Sequence, residues 1–213
     1  MARLCALALA SGVEPAFVRA LIARRGLCAP RDEPANAAWP WPIAIVTLDR
    51  FEIPRDGEPI HWGRKPPRKP LQLLRAILAL GGRSVREAEV ADLLWPEADG
   101  DAAQVALATT VHRLRKLLGR DDAIVRQRGR LGLDPRVCWV DVWEIESWLD
   151  RADASEGEEA RAALERALAL HGASRLESGA DAVPATPSAS RIRRRLSRAV
   201  EEAARRCQAE GEG

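Results

Sequence analysis

Tyrosine is absent from this 213-residue chain, phenylalanine occurs twice and methionine once. Alanine, arginine and leucine fill the space, a bias of GC-rich genomes that implies no function. The four cysteines, at positions 5, 28, 138 and 207, form no CxxC pair and lie far apart. That spacing argues against a zinc site or a disulfide framework and for reduced thiols in a cytosolic protein. The three histidines, His61, His112 and His171, fall in different segments without metal-ligand spacing. No GxxxxGK, HExxH or Ser/His/Asp arrangement is found, and no acidic receiver segment. The expectation is therefore a protein with no cofactor, no metal and no enzymatic chemistry. No run approaches the ~18 apolar residues of a membrane span. The opening MARLCALALASG mimics a signal peptide, but its apolar run sits at the short limit and continues into another helix-like segment. Secretion and membrane insertion are set aside, and a cytoplasmic location is expected. Strong net charge is missing too: 33 basic against 31 acidic residues leaves +2. The distribution of charge, and not its sum, must point to partners.

What is present is 46% hydrophobic residues, enough for a core, and seven tryptophans. The length leaves room for one fair-sized domain or two small ones. Residues 1–28 read as two short helices broken at Gly12, with Pro15 in the first turn of the second and Phe17, Val18, Leu21 and Ile22 on one face. This resembles the end of a helical-repeat region. Residues 29–42, APRDEPANAAWPWP, form a proline-rich linker that Trp39 and Trp41 pin down. IAIVTLDRFEI and EPIHW alternate like strands around a turn at Asp56-Gly57. RKPLQLLRAILALGG predicts a helix with a stripe of Leu71, Leu74, Ile77 and Leu78, stopped by Gly81-Gly82. Ser84 and Glu87 fit a capping box opening a short helix through Val90, Leu93 and Leu94 to Trp95-Pro96, and Asp101 with Gln104 fits a second capping pair. From Val142 to residue 213 the pattern is helical again, with a cationic run, Arg191 to Arg195, that reads as the exposed side of a helix. Trp139, Trp143 and Trp148 read as packing residues.

The informative stretch is ATTVHRLRKLLGRDDAIVRQRGRLGLDP, residues 108–135. At about 100° per residue, Leu107, Val111, Leu114 and Leu118 share a narrow sector that must face a core. The far side carries Val105, Thr109, His112, Arg113 and Lys116, flanked by Ala108 and Arg115, and no carboxylate interrupts residues 102–118. Such a helix could simply be a solvated one whose cations complement its own dipole. A second basic cluster, Arg126, Arg128 and Arg130, follows in a hairpin over 124–133. Two neighbouring basic elements on a short turn form one footprint for a polyanion, and a major groove admits one α-helix. Lys65, Arg68 and Lys69 add cations before the first helix of this region.

The order sheet, helix, helix, helix, hairpin predicts an α+β winged helix-turn-helix over 43–141, flanked by helical segments at 1–28 and 142–213. Residues 43–141 resemble the OmpR/PhoB-type effector domain, in the version found in bacterial transcriptional activators that carry a following BTAD module (the SARP-like group). The likeness lies in LDRFEI, RKPLQLL, ADLLWPEADGDAA, TTVHRLRKLLG, the wing RQRGRLGLDP and the closing CWVD. WVDVWEIESWL is similar to the start of a BTAD. The match covers about half the chain well and makes the whole resemble an excerpt from a longer regulator.

The resemblance implies a third helix, residues 102–118, seated in the major groove of double-stranded DNA and a wing on the adjacent backbone or minor groove. Ala108, Thr109, His112, Arg113 and Arg115 match the groove-facing places, Arg128 the wing-tip cation, and Trp95 the tryptophan that ends the second helix near a phosphate. Arg126, Arg130 and Lys116 are expected on phosphates. The chain departs from the pattern at Val105, where many relatives carry a cation, and at His112. The helical tail, a partial BTAD-like module, would serve a homodimer on DNA or contact RNA polymerase. A protein-interaction adaptor that uses its helical flanks, with the winged helix as scaffold, is the alternative.

Overall fold

The computed structural model describes residues 1–30, 38–48, 51–60, 66–176 and 187–211. The chain opens with α1 (Ala2–Ala10) and α2 (Pro15–Arg25), where Pro15 takes the first helical position and Gly26, at φ 57°, ends the second helix in the left-handed region. Cys5, Ala6 and Leu9 of α1 and Val18 and Ile22 of α2 are buried, while Phe17, expected on the same stripe, is 66% exposed. The i, i+4 pair Val18 and Ile22 is buried, with Leu21 half-buried beside it, and the Phe17 position turns outward.

Three short strands follow: β1 (Ile43–Ile45), β2 (Pro54–Arg55) and β3 (Glu58–Pro59). Asp56 and Gly57 both have positive φ, 52° and 86°, and Arg55 pairs with Glu58. This is the two-residue turn whose twist suits an antiparallel hairpin. Ile43 pairs with Arg55, and its N–H donates to the Val137 carbonyl at 3.1 Å. The alternation through Thr47 and Leu48 predicted a longer strand. Instead, both backbone N–H groups donate to the Asp141 carboxylate, at 2.7 and 2.9 Å, so they are lost to any neighbouring strand.

α3 (Arg68–Ala79) buries Leu73, Leu74, Ile77 and Leu78, with Leu71 only half-buried. Leu74, Ile77 and Leu78 are buried as expected while Pro70 and Leu73 take the place of Leu71, and Gly81 and Gly82 (φ 103° and 82°) stop the helix as expected. The capping box at Ser84 is a correction. β4 (Val85–Arg86) occupies those residues, and α4 (Glu87–Leu94) begins at Glu87 with no side-chain cap. Val85 and Arg86 are drawn into strand pairing with Leu131 and Arg130, and the Glu87 N–H donates to the Gly129 carbonyl at 2.9 Å. A backbone partner from far along the chain replaces the serine hydroxyl.

α5 (Gly100–Leu118) is capped by Asp99, not Asp101: the Asp99 carboxylate accepts from the Ala102 N–H at 2.8 Å. Gly119 closes it at φ 73°. After a single 3-10 turn (Asp121–Ala123), β5 (Ile124–Gln127) and β6 (Arg130–Leu133) form the hairpin over the predicted residues. With β4 they make a three-stranded sheet in the order β4-β6-β5. β7 (Cys138–Val140) joins the first strands in the order β3-β2-β1-β7, and α6 (Asp141–Ala154), α7 (Gly157–Leu176) and α8 (Pro187–Gly211) complete the chain.

The result is a mixed α+β protein whose sheet, three-helix and hairpin sequence is compatible with a winged-helix-like fold. The chain divides into two units, with the boundary running through β1 and β7. One holds residues 41–44 and 53–138; the other holds 1–40, 45–52 and 139–213. In the second, Asp141 ties α6 to the chain before it: besides the Thr47 and Leu48 N–H groups, it accepts from the Thr47 hydroxyl and the Val142 N–H, both at 2.8 Å. Burial pushes the Asp141 carboxyl up, and these donors pull it back. The cationic run at Arg191 to Arg195 is also a correction. It is an ion-paired seam, in which Arg191 reaches Glu146, Arg195 reaches Asp150 and Asp153, and Arg193 donates to the Leu48 carbonyl. Carboxylates on the facing side of α6 claim it, and only Arg194 of the run's arginines is left fully exposed without a partner among the described residues. Trp39, Trp41, Trp139 and Trp143 are buried and Trp148 half-buried, while His61 and Lys65 lie outside the described residues. Among the described residues no helix is long and apolar enough to cross a membrane.

Candidate nucleic-acid interface

α5 is held down by Ala103, Leu107, Thr110, Val111, Leu114 and Leu118. Three of these are fully buried leucines, each contributing about 1.5–3 kcal/mol on burial. The face expected from periodicity is there, widened by Ala103 and by Thr110, whose hydroxyl is satisfied by the Ala106 carbonyl at 2.7 Å. That anchoring fixes the opposite face. Val105, Thr109, His112, Arg113 and Lys116 are all exposed, with Ala108 half-buried on one flank. His112, Arg113 and Lys116 have no partner among the described residues.

Arg115 is placed differently. It is half-buried, and its Nη2 donates to the Ile124 carbonyl at 2.7 Å, joining α5 to the first residue of β5. Its Nε is buried without a partner among the described residues. Arg115 thus behaves as a strut between helix and hairpin.

The wing cations also separate. Arg126 makes a two-pronged pair with Glu87, both bonds at 2.7 Å, and reaches Gln104 of α5 at 3.4 Å. The hydrogen bonds to Glu87 raise the Arg126 guanidinium's pKa. Glu87 is only 7% exposed and sits at the first turn of α4, where the helix dipole also favours its charge. Arg126, Glu87 and Gln104 therefore connect β5, α4 and α5. Arg130 donates to the Ser84 carbonyl at 2.8 Å, beside its strand partner Arg86. Arg128 stands apart. It occupies the turn with Gly129, at φ 53° and 70°, exposed and without a partner among the described residues. A non-glycine residue in the left-handed region costs on the order of 1 kcal/mol, and no internal contact of the side chain offsets it.

Trp95 follows the end of α4, half-buried. Lys69 lies over its ring, 5.2 Å from the centroid, and donates to the Leu94 carbonyl at 3.2 Å. Lys69 thus neutralises the C-terminal end of α4 while covering the indole. Arg68 beside it is exposed and unpartnered among the described residues.

No protein-family model matches the chain, and no curated protein does either. Among solved structures the chain is similar to Mycobacterium tuberculosis EmbR in complex with a low-affinity phosphopeptide, at 19% identity and a TM-score of 0.45. The likeness covers 80% of this chain and 44% of that one.

Of the ten residues singled out in the sequence, Thr109, His112, Arg113, Lys116 and Arg128 present free polar groups to solvent, and Ala108 flanks them. Arg115, Arg126 and Arg130 are committed to internal acceptors, and Trp95 is covered on one face. Sequence reasoning missed Glu87, Gln104 and Ser84 as the acceptors. The Glu87 to Arg126 pair spans 39 residues, and the Arg130 to Ser84 bond spans 46. No local pattern encodes either. Among the described residues no group of three or more His, Cys, Asp and Glu side chains could hold a metal ion.

Proposed function

We propose that the chain is a sequence-specific, double-stranded DNA-binding transcriptional regulator of the OmpR/PhoB-type winged helix-turn-helix class with a BTAD-like helical tail, acting in the cytoplasm. The observation that carries this reading is the outward face of α5. It is free of acid from residue 102 to 118, it exposes His112, Arg113 and Lys116 without internal partners, and a glycine turn beside it holds Arg128 outward. A solvated helix has no need of a second unpaired cation at a strained turn. A duplex supplies phosphate for it and a groove for the helix.

In this reading Arg113 reads a base edge, with Thr109, His112 and Ala108 lining the same groove, while Lys116 and Arg128 hold phosphates. Arg115, Arg126 and Arg130 fix the angle between helix and wing. The chemistry is docking, with no bond made or broken. The helices α6–α8 would serve pairing of two copies on DNA or contact with RNA polymerase. The adaptor alternative draws on a different observation: Leu4, Leu7 and Phe17 of α1 and α2 are exposed, as a surface for another protein would be.

Binding of the full chain to a duplex selected from a random pool, followed by anisotropy against salt, is the test. Arg113→Ala costs about 1–3 kcal/mol at one base position. Arg128→Ala weakens binding to all sequences alike and flattens the salt slope by about one unit. A chain that neither selects a duplex nor is retained on random duplex at low salt overturns this reading.

A further inference from the structure

The exposed line on α5 is not cationic throughout. Val105 is 68% exposed and begins the line that Thr109, His112 and Lys116 continue. At about 100° per residue these four lie within a sector of about 60°. A β-branched side chain on the solvent face of a helix is a poor choice for the isolated chain. It loses rotamer freedom against the preceding turn and exposes its methyls to water. Its neighbour Ala102 is exposed and Ala106 half-buried, so the isopropyl group stands proud of a low surface. One turn earlier comes the exposed acid Asp101, which repels backbone phosphate from this end of the helix. An apolar knob next to an acid suits a base edge better than a phosphate. In the major groove the only apolar group on a base edge is the C5-methyl of thymine.

We propose that Val105 is a specificity-determining residue that packs on a thymine C5-methyl, giving the binding site a required T·A pair. The proposal rests on the DNA-binding reading above and deepens it. Arg113 lies eight residues further along α5, about 12 Å at 1.5 Å per residue. The thymine therefore lies about three to four base pairs from the pair read by Arg113, at about 3.4 Å per base pair. The first half of α5 reads a methyl and the second half reads acceptors and phosphates, so the site has polarity.

The experiment uses the full chain and a duplex it selects from a random pool. Each thymine of that duplex is then replaced, one at a time, by deoxyuracil, which removes only the methyl group. For the unaltered chain, one replacement about three to four base pairs from the Arg113-dependent position lowers affinity by about fourfold, the value of one buried methyl-sized group. Val105→Ala binds the parent duplex more weakly by a similar factor and no longer senses that replacement, while its response at every other position is kept. Val105→Arg is equally insensitive to loss of the methyl. Because Val105 is exposed, circular dichroism of both variants should match the parent, and their urea midpoints should be no lower than the parent's, since alanine and arginine are better helix formers than valine. If the chain selects a duplex but no replacement acts through Val105, the proposal is overturned and the DNA-binding reading survives. If the chain selects no duplex, both are overturned.

Discussion

The fate of Arg126 separates what the sequence suggested from what the structure does with it. As a phosphate contact, Arg126 would matter to binding and little to stability. As the partner of Glu87 it should matter to stability and little to the salt slope. In Arg126→Gln the carboxylate of Glu87, whose side chain is 9% exposed, loses both prongs of its pair. Removing one member of a buried pair costs about 3–5 kcal/mol. Arg126 is itself 34% exposed, so the pair is only partly buried and the loss falls to about 2–4 kcal/mol. In Glu87→Gln the remaining Arg126 side chain is 34% exposed and can reach water, so the loss is smaller, about 1–2 kcal/mol. The double variant should recover about 0.5–3 kcal/mol relative to the sum of the singles. Urea unfolding of the four proteins closes that cycle, and anisotropy against salt runs beside it. The expected outcome is a large shift in urea midpoint for Arg126→Gln with the salt slope of duplex binding unchanged. An unchanged midpoint with the slope reduced by about one would refute the reasoning, because it would make Arg126 a phosphate contact and the pair with Glu87 incidental.

Three further predictions follow from packing and titration. A Cβ on Gly132 would lie 2.0 Å from the backbone oxygen of Arg83, where Leu133 already donates to the Gly82 carbonyl at 2.8 Å. Gly132→Ala should therefore cost about 2–4 kcal/mol through overpacking and a strained hydrogen bond, read as a urea midpoint lower by about 1–2 M at an m of about 2 kcal/mol/M; an unchanged midpoint would show that the close approach relaxes freely. Burial, with Asp134 nearby, pushes the Cys138 thiol up to about 12, whereas Cys28 is exposed. Iodoacetamide at pH 8 on the native protein, followed by peptide mapping, should modify Cys28 and spare Cys138 until urea is added, and equal modification would contradict the burial. The hydrogen bonds from Arg136 hold the Asp134 carboxyl below its ordinary value despite burial. A depressed carboxyl stabilises the fold above its unfolded pKa of about 3.9, and that contribution is lost as pH falls through the lower folded value. Asp134→Asn should accordingly be less stable at pH 7 and show a shallower loss of stability below about pH 4 than the parent, and parallel acid limbs would rule out this linkage.

Periodicity made most of the helical unit legible. The buried side of α5 needs only the spacing of Leu107, Val111, Leu114 and Leu118, because 3.6 residues per turn leaves one way to bury all four. Turn chemistry made both hairpins legible, since Asp56-Gly57 and Arg128-Gly129 each place two residues at positive φ. Strand lengths were not legible. Thr47 and Leu48 have the alternation of a strand, yet their N–H groups go to Asp141, 94 and 93 residues away. β4 was invisible for the same reason: two residues, Val85 and Arg86, become a strand only because β6 comes alongside. The capping assignments failed where another acceptor or backbone group stood closer than the one that local spacing offered, as with Asp99 ahead of Asp101.

The site was legible as a region and illegible as a set of roles. Apart from Arg120, which its near neighbour Asp122 claims, the cations over residues 112–130 (Arg113, Arg115, Lys116, Arg126, Arg128 and Arg130) look alike in the sequence, because all are basic and all sit near one turn. Folding sorts them by the acceptors that long-range topology brings up: a carbonyl at Ile124, a carboxylate at Glu87 and a carbonyl at Ser84 take three of the arginines. Arg113, Lys116 and Arg128 are left without an internal partner among the described residues. The arginines that are used internally hold the hairpin to α4, to Ser84 just ahead of β4 and to α5, so they set where the remaining cations stand relative to one another. That division has a consequence for any mutational scan of this chain. Loss of binding on its own cannot distinguish a contact from a strut, whereas the salt slope and the urea midpoint together can. A contact moves the slope at fixed stability, and a strut moves stability at fixed slope.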